Sequence, residues 1–271
     1  MNQFFSFTRF SALVGKHWAD NKKRYVLSIL AFTGMLITWF VFLALVENEQ
    51  PMAEEIQETA FLFFLFVFGT FYASQYFRDL GSNPKAINFL MVPASTFEKL
   101  LCSILYVVVL FFAVFVAIFY LVDFLMINVT KTFTAPGVPV PRMINVFKSF
   151  VMRFNADSTV NQLLFFFSIQ SAFLLGSVYF RKYSFIKTII SGSIVFLILF
   201  CLLYFFYNHL LPDGEFPRGF FTSFLVRVDG TNDRLVEIPE WIGQLLRFVL
   251  LYGIAPFFWL VTYFRLKEKQ V

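Results

Sequence analysis

Charged residues are scarce in this sequence. Asp, Glu, Lys and Arg make up only 14% of the 271 residues, whereas 59% are hydrophobic and the mean hydropathy is +0.72. A soluble protein cannot cover its surface with so few charges, so much of this surface should face lipid. We therefore expect a membrane protein with lipids as neighbours, and no nucleic-acid partner.

Cysteine and histidine are also scarce, with two of each. Cys102 falls at the start of one predicted span and Cys201 well inside another, at depths that differ by about 20 Å. A disulfide cannot bridge that distance. His17 and His209 fall on opposite sides of the predicted membrane, so we expect no metal site and no cofactor.

Three catalytic signatures are absent from the sequence. It contains no Gly-x-x-x-x-Gly-Lys-Ser/Thr phosphate loop, no Gly-x-Ser-x-Gly and no His-Glu-x-x-His. We therefore expect no catalytic residues, and ATP hydrolysis would have to come from another chain. A secretory signal peptide is not evident either, so the first hydrophobic segment should remain as a membrane anchor.

Long apolar stretches are plentiful, and six of them can cross ~30 Å of hydrocarbon. In lipid such segments should be helical, because a helix satisfies its own backbone polar groups. The sequence thus predicts an all-α, polytopic transmembrane domain over 25–264. Its spans are 25–46, 60–77, 100–122, 162–180, 185–207 and 244–264.

Basic residues are distributed unevenly between the two sides of these spans. Segments 1–24, 78–99, 181–187 and 265–271 hold 14 of the 22 Lys and Arg residues, whereas the connection 47–59 holds five Glu and no base. The positive-inside rule then places both termini, the loop 78–99 and the tail 265–271 in the cytoplasm.

The N-terminal segment 1–24 has the pattern of a basic amphipathic helix. Apolar residues recur at helical spacing over Phe4–Trp18, with basic residues between them. We expect a helix in the inner headgroup region. A simple anchor without a partner is an equally good interpretation.

Two predicted outer connections are long, covering 125–159 and 208–243. The first contains a basic and apolar segment, Arg142–Phe154, that could lie on the outer interface. The second contains several turn signals, between which Phe220–Val228 could be a short strand or an interfacial segment.

The loop 78–99 has its own internal design. Pro84 suits the first turn of a short apolar helix that Pro93 ends, and Ser95 with Glu98 forms a capping box for the next helix. The apolar residues could fill a groove in a soluble partner while Arg78, Lys85 and Lys99 steer its docking. A helix lying on lipid is the alternative.

Few polar residues fall inside the spans. The candidates for a weak substrate path are Asp123, Ser168, Gln170 and Ser171. Close helix packing near Gly176 is the preferred interpretation of the serines, and Asp123 is more simply a hydrated helix-end residue. Spans with so few charges argue against a transporter driven by protons or sodium.

The loop and the tail resemble those of a known family. The runs Phe77-Arg-Asp-Leu80, Leu90-Met-Val-Pro-Ala-Ser-Thr-Phe-Glu-Lys-Leu-Leu101 and Tyr263-Phe-Arg-Leu-Lys-Glu-Lys269 are similar to segments of ABC-2 type transporter permease subunits, particularly the compact Bacteroidota forms. The six-span layout with both ends inside extends the resemblance along the chain.

The resemblance implies an exporter subunit in a bacterial inner membrane that pairs with a second permease copy and a separate ABC ATPase. Pro84–Val92 would be the coupling helix, and the substrate would be amphipathic or lipid-like. The residues implied to contact the ATPase are Arg78, Asp79, Lys85, Ile87, Phe89, Leu90, Met91, Pro93 and Glu98.

Two other functions stay open from the sequence. The first is a membrane scaffold or assembly protein without a motor. The second is a membrane enzyme on lipid-linked substrates, for which Asp123, His209 and Asp213 are the available groups.

Overall fold

The structure is a computed structural model that describes residues 4–46, 54–133, 157–210, 214–218, 223–227, 233–237 and 239–269. Asp213 and the proposed interfacial segment Arg142–Phe154 lie outside these residues. The side chain of His209 is likewise outside the description, although its backbone lies in a helix.

Helices dominate the described residues. They are α1 Phe7–Val46, α2 Glu54–Gln75, α3 Asn83–Leu90, α4 Thr96–Ile104, α5 Phe111–Phe133, α6 Asp157–Tyr179, α7 Ser184–Leu210, α8 Glu240–Phe248 and α9 Ile254–Glu268. Six helices, counting α4–α5 and α8–α9 as one each, are long and apolar enough to cross a membrane. The expectation of a multi-pass helical membrane protein is confirmed at this level.

Helix α1 differs from the sequence prediction. It is one uninterrupted helix of 40 residues, about 60 Å long. The amphipathic segment 1–24 and the first span 25–46 were predicted as separate elements. No helix breaker falls between them, since the sequence from Asp20 to Tyr25 contains neither Gly nor Pro.

Two of the long helices contain a π-helical segment. Leu105–Leu110 joins α4 to α5, and Val249–Gly253 joins α8 to α9. A π segment shifts the register of a helix and leaves backbone carbonyls open to other partners. The first of these segments receives such a bond from Gln170, described below.

A small antiparallel sheet is the exception to the predicted all-α fold. Its strands β1 Gly214–Arg218, β2 Ser223–Arg227 and β3 Asp233–Glu237 pair in the order β1-β2-β3, with an irregular register between Glu215 and Arg218. Turn-forming residues separate the strands in the sequence, which favours hairpins over a helix. Strand β2 occupies the centre of the segment Phe220–Val228.

The core between the helices consists largely of phenylalanine. Rings from α1, α2, α5 and α6 interlock, and Phe40, Phe119 and Phe166 are fully buried. The close approach of α2 to α6 depends on Gly69, because a Cβ there would lie 2.5 Å from the Phe166 ring. Aromatic packing at this density holds helices together where lipid offers no hydrophobic driving force.

One end of the bundle collects four segments that are distant in sequence. The Ser6 amide donates to Glu98, Gly81 lies against the Arg181 carbonyl, and the Lys269 ammonium donates to the Val178 carbonyl. The N-terminus, the α2–α4 loop, the α6–α7 turn and the C-terminus therefore share one face. We call it the basic face, since the predicted cytoplasmic cations lie in these segments.

Candidate functional site

Helix α3 lies on the basic face and forms for local reasons. Ser82 takes the N-cap position in an extended conformation, and Pro84 stands in the first turn, where its missing N–H costs nothing. The helix ends at Leu90, with Met91 as C-cap and Pro93 just beyond. The sequence had placed it at Pro84–Val92, so the prediction is correct to within two residues at each end.

The two sides of α3 face different surroundings. Ala86, Phe89 and Leu90 pack against a buried cluster that includes Phe77 and Leu80. The outward side carries apolar groups as well: the exposed fractions are 55% for Ile87 and 76% for Met91. Phe89 and Leu90 were predicted to contact a partner, but the fold directs them inward.

Lys99 does not lie where its proposed steering role would need it. Its side chain is 2% exposed, and Nζ donates to the Leu90 carbonyl at 3.0 Å, beside the Phe89 ring. The last carbonyls of a helix lack partners within the helix and carry partial negative charge, so a cation here stabilises the C-terminus of α3. Lys99 thus joins α3 to the start of α4.

Glu98 is also buried rather than available to a partner. Its carboxylate accepts from the Ser95 amide at 2.8 Å, from the Ser6 amide at 2.7 Å and from the Arg9 guanidinium at 2.9 Å. The Ser95 hydroxyl accepts from the Glu98 amide, which confirms the predicted capping box. One carboxylate therefore caps α4 and also holds the start of α1.

The α6–α7 turn supports the base of the same site. A Cβ on Gly81 would overlap the Arg181 carbonyl oxygen, so only glycine allows this approach. Within the turn, Tyr183 adopts a positive φ of 55° and its side chain is 76% exposed. A tyrosine with a left-handed backbone conformation is unusual and occurs where the chain must reverse sharply.

The exposed charges around α3 interact weakly. Lys85 lies 3.5 Å from Asp79, both side chains are well exposed, and such surface pairs contribute about 0–1 kcal/mol. Arg78 and Pro93 are exposed as well. At the nearby C-terminus, burial and then the charges of Arg265 and Arg181 lower the pKa of Lys269.

The proposed substrate-path residues do not form a single site. The hydroxyls of Ser168 and Ser171 donate to carbonyls of their own helix, whereas the Gln170 amide crosses to the Val107 carbonyl at 2.8 Å. Asp123 is buried in α5, about 24 Å further along the helix than Val107. The interpretation of Asp123 as a hydrated helix-end residue is therefore wrong, because α5 continues to Phe133. The arrangement favours helix packing over a path for these residues.

Close packing of α6 agrees with that interpretation. A Cβ on Gly176 would fall against the Thr188 side chain of α7. Gln170 Oε1 is buried without a hydrogen-bond partner among the described residues, beside the π segment of Val107. That π segment could not be predicted from the sequence, because its residues are apolar like those of the neighbouring turns.

Comparisons with family models, curated proteins and solved structures found no match for this chain. Among the described residues, no group of three or more His, Cys, Asp or Glu side chains is arranged to hold a metal ion. The function of this chain is therefore inferred from the geometry of the basic face.

Proposed function

We propose that this chain is the membrane subunit of an ABC-2-like exporter in a bacterial inner membrane. A separate soluble ATPase supplies the energy, and the outward side of α3 is the surface where it docks. One observation carries this proposal: α3 exposes Ile87 and Met91 beside Lys85 while its inward side is fixed to the bundle. A short helix fixed in this way transmits a push instead of yielding to it.

The contacts of α3 define where such a push would go. Through Lys99 and Phe89 it reaches α4, and through Gly81 it reaches the turn between α6 and α7. A displacement of α3 would therefore act directly on α4 and on the α6–α7 turn. An exporter made of two such six-helix bundles requires a connection of this kind if ATPase closure is to change how the bundles are arranged.

The small number of buried charged side chains favours an apolar or amphipathic substrate. Among the described residues, the buried charged side chains are Glu98, Lys99 and Asp123, and the first two lie at the basic face. Within the described residues there is thus no series of ionisable groups across the bundle for protons or sodium to follow.

The exposed surface of α7 favours an interface with a second permease copy. No residue of its 184–205 span is buried within the chain, although the small residues Ser191, Gly192 and Ser193 lie in its middle. Small residues allow close helix approach in lipid. We place the contact between two copies, identical or different, along this helix.

The test is purification of the tagged protein in mild detergent with identification of what accompanies it. We expect a soluble ATPase in equal amount and a second permease copy. Ile87→Ala with Met91→Ala should weaken ATPase binding by about 1–2 kcal/mol per residue. Arg78→Glu with Lys85→Glu should weaken it further by reversing the docking charges.

The matched control is Lys22→Glu with Lys23→Glu, which reverses the same number of exposed charges on α1. It should insert in the membrane and retain the ATPase. Unchanged ATPase binding in both α3 variants would show that the coupling assignment is wrong. A dimer without any ATPase would favour the scaffold function instead.

A further inference from the structure

A cleft of about 140 Å³ lies between α1 and α2 near the basic face. Its lining includes the polar side chains of His17, Arg24 and Arg78 and, further along the helices, the rings of Phe32 and Phe71. Neither helix pattern predicted it, because its two walls come from segments about fifty residues apart. The proposed docking function does not use it.

Arg24 is the cation with unused hydrogen-bonding capacity in this cleft. Its Nη2 atom lies 3.5 Å from both the backbone carbonyl oxygen and the side-chain Oε1 of Gln75, at the long limit for hydrogen bonds. Among the described residues, no carboxylate lies within ion-pair distance of it. A guanidinium presents five donors in a planar fork, so most of them stay available for an anion.

A second cation, Arg78, stands on the other wall. The acid next to Arg78 in the sequence, Asp79, forms its ion pair with Lys85, at 3.5 Å. Two guanidinium groups, one from α1 and one from the connection after α2, thus line one opening. Paired guanidinium groups suit an anion such as a phosphate, because each can donate two parallel hydrogen bonds to it.

The cleft changes from polar to apolar with depth. Arg24 contacts Gln75 at the basic face, whereas Phe32, about 12 Å further along α1, stacks on Phe68 with ring centroids 4.1 Å apart. At the polar end the His17 ring nitrogen and the Tyr25 hydroxyl are 2.5 Å apart, and Tyr72 packs beside Tyr25. Tyrosines with an apolar body and a polar tip are typical of the headgroup level of a bilayer.

We infer that this cleft binds the phosphate of a membrane phospholipid from the leaflet at the basic face. Its volume corresponds to several water molecules at about 30 Å³ each, which is room for a phosphate but not for a whole lipid. The acyl chains would continue over the exposed surfaces of Leu27, Leu30 and Phe71, which lie on the same helices. The phospholipid is thus recognised by the charge of its phosphate at one end and by the contacts of its acyl chains at the other.

The experiment is native mass spectrometry of the full chain in detergent with added phosphatidylglycerol or with diacylglycerol of the same acyl chains. We expect the wild type to retain phosphatidylglycerol and to release diacylglycerol. Arg24→Gln should lower the affinity for phosphatidylglycerol about tenfold, because a charged hydrogen bond is lost. Lys23→Gln removes an exposed charge one residue away and should leave the affinity unchanged.

Two further measurements test the role of the Arg24 charge and the source of the bound phosphate. Arg24→Lys keeps the charge and should keep the preference for phosphatidylglycerol over diacylglycerol; loss of that preference would contradict binding through charge. Excess inorganic phosphate should not displace the lipid, and displacement would identify the cleft as a free-phosphate site instead. Equal affinities of Arg24→Gln and Lys23→Gln would also overturn the inference. None of these readouts depends on an ATPase.

Discussion

At the scale of single residues, Glu98 connects the starts of two helices on the basic face. Its carboxylate accepts from two backbone amides and one guanidinium that belong to two different helices. Hydrogen bonds to a charged group are stronger than neutral ones, and a carboxylate at a helix N-terminus also interacts favourably with the helix dipole. The start of α1 is thereby tied to α4, with Phe4 stacked on Phe97.

We predict that Glu98→Ala releases the first two turns of α1. The loss of these bonds should cost about 2–3 kcal/mol. Hydrogen exchange measured by mass spectrometry in detergent should then become at least tenfold faster over residues 7–14, because local opening controls exchange there.

The control for this prediction is Glu268→Ala, which removes an exposed carboxylate paired with Arg265. It should leave exchange over residues 7–14 as in the wild type. Unchanged exchange in Glu98→Ala would mean that lipid or aromatic contacts alone hold the start of α1.

At the scale of elements, α3 depends on its neighbours for its position. An eight-residue helix is too short to be stable in isolation. The inward packing of Phe89 and the bond from Lys99 to the Leu90 carbonyl supply what the isolated helix lacks. Its outward side is left free because none of these contacts uses it.

We predict that Lys99→Met loosens α3 without unfolding the bundle. Methionine fills a similar volume but leaves the Leu90 carbonyl without its donor, at a cost of about 1–2 kcal/mol. Hydrogen exchange over residues 83–91 should rise several-fold, whereas exchange over α6 should not change.

The same substitution at Lys85 is the matched control, since the Lys85 side chain is 70% exposed and its pair with Asp79 is weak. Lys85→Met should exchange like the wild type in this region. If the two variants behaved alike, the Lys99 bond would not be what holds α3.

At the scale of the whole molecule, four segments meet at one end of the bundle and carry most of the basic residues. Their contacts bring the two termini to the same end, which the even number of spanning helices also requires. The positive-inside rule assigns that end to the cytoplasm, and this orientation stays a prediction.

We predict the labelling of two engineered cysteines by a membrane-impermeant maleimide in a Cys201→Ser background. Tyr183→Cys, at a position that is 76% exposed on the basic face, should react only after the membrane is opened. Asn48→Cys, in the acidic first connection, should react in intact cells. The opposite pattern would invert the topology and remove the cytoplasmic ATPase from reach of α3.

Several features of this protein were predictable from the sequence because their causes are local. Six apolar stretches of membrane length predict six spanning helices, and the spacing from Ser95 to Glu98 predicts the capping box that the structure contains. The small residues near Gly176 correctly predicted close helix contact. Each of these can be predicted from the residues of one continuous segment of the chain.

Which charged side chains are exposed and which are buried was decided only by the tertiary structure. Lys85 and Lys99 look alike in the sequence, yet one is exposed and the other is enclosed beside Leu90. Glu98 meets Ser6 across 92 residues, and Arg24 meets Gln75 across 51. A charge is stable in a buried position only where enough partners reach it, and the capping box aside, the fold brings these partners from segments that no local pattern specifies.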